Sequence, residues 1–290
     1  MLQLHFTKMH GLGNDFVVLD DLAHPLPSDF DFSTAAERLC ARPWGVGSDG
    51  LMLLTHPDKA ARAAGAKVRM RMWNPDGTED MCGNGLRCIV HLAHRRGYGG
   101  GDQFTVQTPV GLRAAQVLPD GQVRVAMGEP VFEPEKIPLK LPPHHAGPIE
   151  YTLPVGDALL EHVTSLNTGS THTVIFVPEE LSEESYQKLS PQIEIHPWFP
   201  ERTSVMWTQV VSDSRLKLRI WERGVGETIA CGTGASAAAV AAQVTGRCHG
   251  SIEVESRGGV LRIEWEPGQE IFKTGPAAVV YVGTETYEDR

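Results

Sequence analysis

The feature that most constrains this chain is a segment written twice. "VRMRMWNPDGTEDMCGNGLRC" over residues 68–88 returns as "LKLRIWERGVGETIACGTGAS" over residues 216–236. Each copy has an Arg-x-Trp strand, a turn with glycine, an acidic residue, then Cys-Gly-x-Gly and the start of a helix. Trp73 precedes Cys82 by nine residues and Trp221 precedes Cys231 by ten. A looser echo links "GLGNDFVVL" at 11–19 to "TGSTHTVIFV" at 168–177. Self-similarity of this kind predicts two related halves. Related halves usually pack about an approximate two-fold axis, which would bring equivalent loops, and so Cys82 and Cys231, to a shared cleft. The competing reading is a chance match of Gly-rich turns.

The rest of the chain fits two α+β halves. "HFTKMH", "FVVLD", "LMLL", "KVRMRMW", "FTVQT", "LRAAQVL" and "QVRVAM" are short strand patterns separated by turns such as "PDG". The pattern restarts with "HTVIFV", "MWTQVV", "LKLRIW", "SIEVES" and "VLRIEW". Helices are predicted at "DFSTAAERLCAR", "GLRCIVHLAHRRG" and "SEESYQKLSPQIE", the third shortened by Pro191, and at "GASAAAVAAQVTG", which ends at Gly246. Residues 129–149, with six prolines, are the best candidate for a crossing between halves.

Composition narrows the partners. The 26 Lys and Arg against 36 Asp and Glu give a net charge of −10. That argues against nucleic acid or an anionic membrane surface, both of which need a basic footprint. No apolar run approaches a membrane span, and "MLQLHFTKMHGLGND" lacks a signal pattern, so a cytoplasmic protein is expected. Five cysteines, an odd count without an export signal, argue against a disulfide framework.

The question is then which thiols react. A cysteine at the first turn of a helix lies beside unpaired N–H groups and the positive end of the helix dipole, which is expected to lower its pKa. The glycines let backbone approach a ligand, and the same N–H groups suit a carboxylate. Two such sites suit inversion at a carbon next to a carboxylate. One thiolate removes a proton from one face and the opposite thiol returns a proton to the other. The donors that hold the carboxylate also stabilise the charge that builds as the proton leaves. No metal or organic cofactor is required. A lone cysteine beside glycine is more often small-residue packing, and Cys40, Cys88 and Cys248 are read that way. A metal at Cys88, His91 and His94 is disfavoured by the absence of Cys-x-x-Cys or His-Glu-x-x-His. Neither "GLGND" nor "CGTGA" completes a dinucleotide fingerprint. The enzyme rival is a hydrolase with a nucleophilic cysteine and His172 as base, which leaves the second Cys-Gly-x-Gly unexplained.

These residues resemble the diaminopimelate epimerase family. "FTKMHGLGNDFVVLD" is similar to its opening segment, "MRMWNPDGTEDMCGNGLRC" and "WERGVGETIACGTGASAAAVAA" to its two cysteine motifs, and "GVGSDGL" and "KTGPA" also match. The resemblance runs from Phe6 to about Pro276 in family order. It implies an α+β fold of two pseudo-symmetric domains, each a curved, mainly antiparallel sheet wrapped around a central helix. The last strand, "AVVYVG", would return to the first domain, giving residues 1–128 with 277–290, and 129–276. It also implies a cofactor-independent epimerase that inverts the α-carbon of LL-diaminopimelate to the meso form, for lysine and cell-wall precursors, usually as a homodimer.

Carried over position by position, the resemblance makes Cys82 and Cys231 the acid–base pair. Gly83 with Asn84, and Gly232 with Thr233, would hold the reacting carboxylate. Asn14 and Asn74 would be substrate-binding amides. Glu222 and Arg223 would meet the far amino-acid head, Arg223 by a forked contact. His172 stands where the family has a histidine near the thiols. Four positions depart from the commonest pattern: Thr171 replaces a proline, Gly50 stands where many members carry glutamine although glycine is also familiar there, and Ser170 and Ser204 replace asparagines that recognise the far head. A serine offers one hydroxyl in place of an amide's donor and acceptor. A racemase of another amino acid, or a non-catalytic relative that binds amino acids, therefore stands as the alternative.

Overall fold

The computed structural model describes residues 1–143 and 145–288. In chain order the first set of elements is β1 (Leu2–Gly11), β2 (Asn14–Asp20), α1 (Phe32–Cys40), β3 (Gly50–Thr55), α2 (Lys59–Ala63), β4 (Ala66–Trp73), β5 (Glu79–Asp80), α3 (Gly83–Arg95), β6 (Gln103–Thr108), β7 (Gly111–Val117) and β8 (Val123–Gly128). The second set is β9 (Tyr151–Val155), β10 (Ala158–Asn167), β11 (Thr171–Phe176), α4 (Glu183–Glu194), β12 (Ser204–Ser212), β13 (Arg215–Glu222), β14 (Gly226–Thr228), α5 (Gly232–Val244), β15 (Ile252–Ser256), β16 (Gly259–Glu264), β17 (Ile271–Gly275) and β18 (Ala278–Tyr287). The chain divides into two compact units, residues 1–126 with 274–290, and residues 127–273.

In the first unit β1 pairs antiparallel with both β2 and β18. β2 and β3 run parallel across α1, β3 and β4 antiparallel, and β4 and β6 parallel across α3. The second unit repeats this plan. β10 and β11 are antiparallel, β11 and β12 parallel across α4, β12 and β13 antiparallel, and β13 and β15 parallel across α5. The registers match residue by residue. Leu51 faces Trp73 and Trp73 faces Glu79, just as Val205 faces Trp221 and Trp221 faces Glu227. Phe16 faces Gly50 where His172 faces Ser204.

A helix is enclosed by strands in each unit. α3 touches β1, β2, β3, β4 and β7, and α5 touches β10, β11, β12, β13, β15 and β16. α3 meets this with Leu86, Ile89, Val90 and Ala93 at helical spacing, all buried. α5 meets it with alanines: every residue from Gly234 to Ala242 is buried. Small side chains let strands approach on all sides. The tightest points are equivalent glycines. A Cβ on Gly85 would come within 2.8 Å of Met52, and one on Gly234 within 2.4 Å of Met206.

An outer helix in each unit covers the Arg-x-Trp strand in the same manner. Phe32 of α1 stacks on Trp73 with centroids 4.6 Å apart, and Tyr186 of α4 meets Trp221 edge-on at 5.9 Å. Arg71 forks onto Glu79, with Nε–Oε1 and Nη2–Oε2 both 2.8 Å. Arg219 approaches Glu227 by the same two atoms, at 3.0 and 3.4 Å. So the arginine and the acidic residue of the repeated motif are partners in both copies.

One expectation needs correction. Pro191 does not shorten α4, which runs on to Glu194. Its last turn is held by tertiary contacts: Ile193 is buried, and the Glu194 carboxylate accepts from Trp221 Nε1 and the Gly224 N–H. These outweigh the loss of one helical hydrogen bond. Within residues 129–149, read as a crossing between halves, part of the chain packs on the second unit. Val131 bridges Asn167, and Ile137 and Leu139 are buried with Leu153, Tyr186 and Trp207 in the second unit's core. The strands β9 and β10, the first carrying Pro154 and the second largely outside the core in its first half, are legible only in the structure.

Candidate functional site

Both motif cysteines are N-caps of helices of the same length, 13 residues. Cys82 has φ −124° and ψ 120°, and Cys231 φ −131° and ψ 113°. In each copy the extended cap turns the chain from a short strand pair into the enclosed helix. The cysteine side chain is left beside the first free N–H groups. The surroundings of the two sulfurs then differ.

Around Cys82 the partners are amides. Its Sγ lies 3.4 Å from Asn14 Oδ1, which also accepts from Asn84 Nδ2 at 3.4 Å. Asn14 Nδ2 donates to Asp49 Oδ2 at 2.9 Å. Arg87, wholly buried one turn further along α3, donates from Nη1 to Asn84 Oδ1 at 3.0 Å and from Nε to the Pro276 carbonyl at 3.2 Å. Asn74 is not part of this group; its amide donates to Thr78 Oγ1 at 3.1 Å in the turn after β4.

Around Cys231 the partners are a hydroxyl and an imidazole. The Nδ1–H of His172 donates to the Ser170 carbonyl at 2.7 Å, so Nε2 carries the lone pair. Thr233 Oγ1 donates to that Nε2 at 3.1 Å and lies 3.4 Å from Cys231 Sγ. The Gly234 N–H points at the same sulfur at 3.4 Å. His172 is 1% exposed, and burial pulls its pKa down to about 4, so it stands neutral at neutral pH. Thr168 Oγ1 donates to the Thr233 carbonyl at 2.9 Å and pins the first turn of α5.

The expectation that the helix start lowers the thiol pKa fails for Cys231. Burial pushes it well above the ordinary thiol value, the Glu222 carboxylate adds to the rise, and the contacts with Thr233 and the Gly234 N–H only partly oppose it. Cys231 therefore rests as a thiol. Glu222 lies near this sulfur and accepts from the Thr228 hydroxyl. Ser204 Oγ accepts from the Arg223 N–H at 3.1 Å, and the exposed Arg223 guanidinium donates to the Glu201 carbonyl at 3.0 Å.

The other cysteines are packed away. Cys88 is fully buried and its pKa is pushed up to about 12 by burial. Cys40 accepts from Ser48 Oγ, and Cys248 donates to the Ser212 carbonyl. Among the described residues no group of three or more His, Cys, Asp or Glu side chains is placed to hold a metal ion. Sequence reasoning missed Asp49, Arg87 and Thr168. Arg87 had a signal: it lies three residues after Asn84 on a predicted helix, hence on the same face.

A cysteine at the N-cap position of each of two matched helices, with amide or hydroxyl partners at the sulfur, suits acid–base chemistry. A sequence model of the diaminopimelate epimerase family matches residues 6–133 and 164–280. The chain belongs to this family. It is 43% identical over 286 residues to the diaminopimelate epimerase of Desulforudis audaxviator, covering 97% of this chain and 98% of that one. It is 41% identical over 281 residues to that of Acinetobacter baumannii, covering 97% and 96%. More distant proteins share the family's fold. A Bacillus anthracis phenazine biosynthesis protein of the PhzF family superposes with a TM-score of 0.69 at 17% identity, covering 99% of this chain and all of that one. A hydroxyproline epimerase from Agrobacterium vitis gives 0.67 at 15% identity, covering 97% and 92%.

Proposed function

We propose that this member of the family is a diaminopimelate epimerase that inverts the α-carbon between the LL and meso forms with two thiols. The observation that carries the reading is the pair of N-cap cysteines in matched helices, within a chain related over nearly its whole length to diaminopimelate epimerases. Inversion needs one group to take the α-proton and a second to return a proton on the opposite face. Cys82 and Cys231 supply these groups and exchange roles when the reaction reverses. Backbone N–H groups at Gly83 and Asn84, and at Gly232 and Thr233, receive the reacting carboxylate and stabilise the charge that spreads onto it. In the resting protein Cys231 is the acid: its S–H donates to Thr233, whose hydroxyl donates to neutral His172. Asn14 and Asn74 bind substrate polar groups, and Glu222 with Arg223 takes the far amino-acid head.

The test is α-hydrogen exchange in D2O with LL-diaminopimelate and fully reduced protein. Deuterium in the α-position together with meso product is expected. Folded protein with both thiols titratable and no exchange overturns the reading. Ser204 favours a second reading, racemisation of another amino acid. Its hydroxyl already accepts from the Arg223 N–H, leaving one proton for a ligand. A panel of amino acids followed by the same exchange separates the two.

The working unit is proposed to be a homodimer in the cytoplasm. Val280, Tyr281 and Val282 are consecutive in β18 and all exposed, so both faces of that strand carry uncovered apolar side chains. Sedimentation equilibrium at micromolar concentration reads the dimer directly. A reducing compartment suits the five free thiols. No helix among the described residues is long and apolar enough to cross a membrane.

A further inference from the structure

The hydrogen bonds around Cys82 form a chain whose two ends are charged. Asp49 Oδ2 accepts from Asn14 Nδ2 at 2.9 Å and from the Asp15 N–H at 3.0 Å. An ionised carboxylate only accepts, so the Asn14 atom that faces it is the amide nitrogen. At the other end Arg87 Nη1, which only donates, meets Asn84 Oδ1 at 3.0 Å. That leaves Asn84 Nδ2 for Asn14 Oδ1, 3.4 Å away. Each amide has a single orientation compatible with both neighbours, and the outcome is an acceptor, Asn14 Oδ1, 3.4 Å from Cys82 Sγ.

The fold is committed to both ends. Arg87 is wholly buried, its Nη2 has no hydrogen-bond partner, and among the described residues no carboxylate pairs with it. Burying a guanidinium without a counter-ion is costly. Gly11 leaves room for it, since a Cβ there would stand 3.0 Å from Nη2. Asp49 is held by Arg42 at 3.1 Å; Arg42 also reaches Asp15, which Lys8 meets in turn. Cys88 lies beside Arg87 on α3.

We propose that Asp49 and Arg87 are positioning residues that lock the amides of Asn14 and Asn84 in one orientation, so that an oxygen of Asn14 faces the Cys82 sulfur. The proposal rests on the two-thiol reading for its role in turnover. Its geometry is independent of substrate. An oxygen at the sulfur holds Cys82 as a hydrogen-bond donor. Releasing the Asp49 end lets the Asn14 amide turn and offer Nδ2–H to the sulfur, which favours thiolate.

The test is the pH dependence of iodoacetamide labelling of Cys82 in the full, reduced chain, read by peptide mass spectrometry with Cys231 followed in the same sample. Asp49→Asn is expected to speed Cys82 labelling at neutral pH by roughly three- to tenfold, because a charge-assisted bond becomes a neutral one. In an Asn14→Ala background the same substitution is expected to change the rate less than about twofold, since the link is cut. Arg87→Met is expected to speed Cys82 labelling less than Asp49→Asn does, because freeing the Asn84 end is offset by loss of a positive charge near the sulfur. If that variant does not fold, the Asp49–Asn14 cycle decides alone. An equal effect of Asp49→Asn with and without Asn14, or an equal shift at Cys231, overturns the proposal. Labelling needs no substrate, so a failed exchange assay with an intact cycle would reject the proposed reaction and leave this inference standing.

Discussion

His172 makes the second unit acid-sensitive, and the size of the effect follows from its surroundings. Its pKa is about 4 in the folded chain, chiefly through burial, against 6.5 for an ordinary histidine. Between those values the unfolded chain holds more protons than the folded one, so stability falls as pH falls. The part due to His172 is absent above about pH 7, reaches about 2 kcal/mol of lost stability at pH 5, and about 3 kcal/mol at pH 4. Burial at 1% exposure leaves no solvent screening to discount. His172→Gln removes the titration and keeps a side chain that can meet the Ser170 carbonyl and Thr233. Urea unfolding at intervals from pH 7.5 to pH 4 is the assay. The variant should start lower, by about 1–2 kcal/mol for the lost hydrogen bonds, and fall less steeply, so that the two curves converge near pH 5. His91 and His196, whose pKa values burial also lowers, tilt both curves alike. Parallel curves across this range would refute the argument. The chemistry is tied to the same proton, because a charged His172 cannot accept from Thr233, and the hydrogen-bonded path to Cys231 opens.

Three further outcomes follow from packing and charge. Gly85→Ala and Gly234→Ala should each cost about 1–3 kcal/mol by overpacking against Met52 and Met206. Chemical denaturation checks this, and the Gly234 variant should also disturb Cys231, whose Sγ would lie 3.3 Å from the new Cβ. Arg219→Met should destabilise by about 2–3 kcal/mol and Arg71→Met by about 1 kcal/mol or less, because Arg219 is 9% exposed and holds both Glu183 and Glu227 while Arg71 is 30% exposed; comparison of the two unfolding midpoints reads the difference. Cys88 should resist alkylation in the native state and react only on unfolding, since it is fully buried with its pKa near 12; peptide mapping after a timed pulse of reagent shows which thiols were labelled.

Local pattern was enough to read much of this protein. The doubled Arg-x-Trp and Cys-Gly-x-Gly segments announced two related halves, and the run of alanines announced a helix that something must enclose. The strands of β2, β3, β4, β12 and β13 were plain from their apolar character. These signals survive in sequence because secondary structure and small-residue packing depend on neighbours a few positions apart. Charge identity and proton position do not. The position that holds His172 in the second unit holds Phe16 in the first, an equivalence fixed by strand register. Whether a thiol at a helix start loses or keeps its proton depends on what surrounds it. For Cys231 burial and Glu222 outweigh the helix start, an outcome that needs three dimensions. The same holds for Pro191, tolerated because Glu194 is tied to Trp221 and Gly224, and for Asp49 and Arg87. Those two lie far apart in the chain and meet through two amides only once the strands and α3 are assembled.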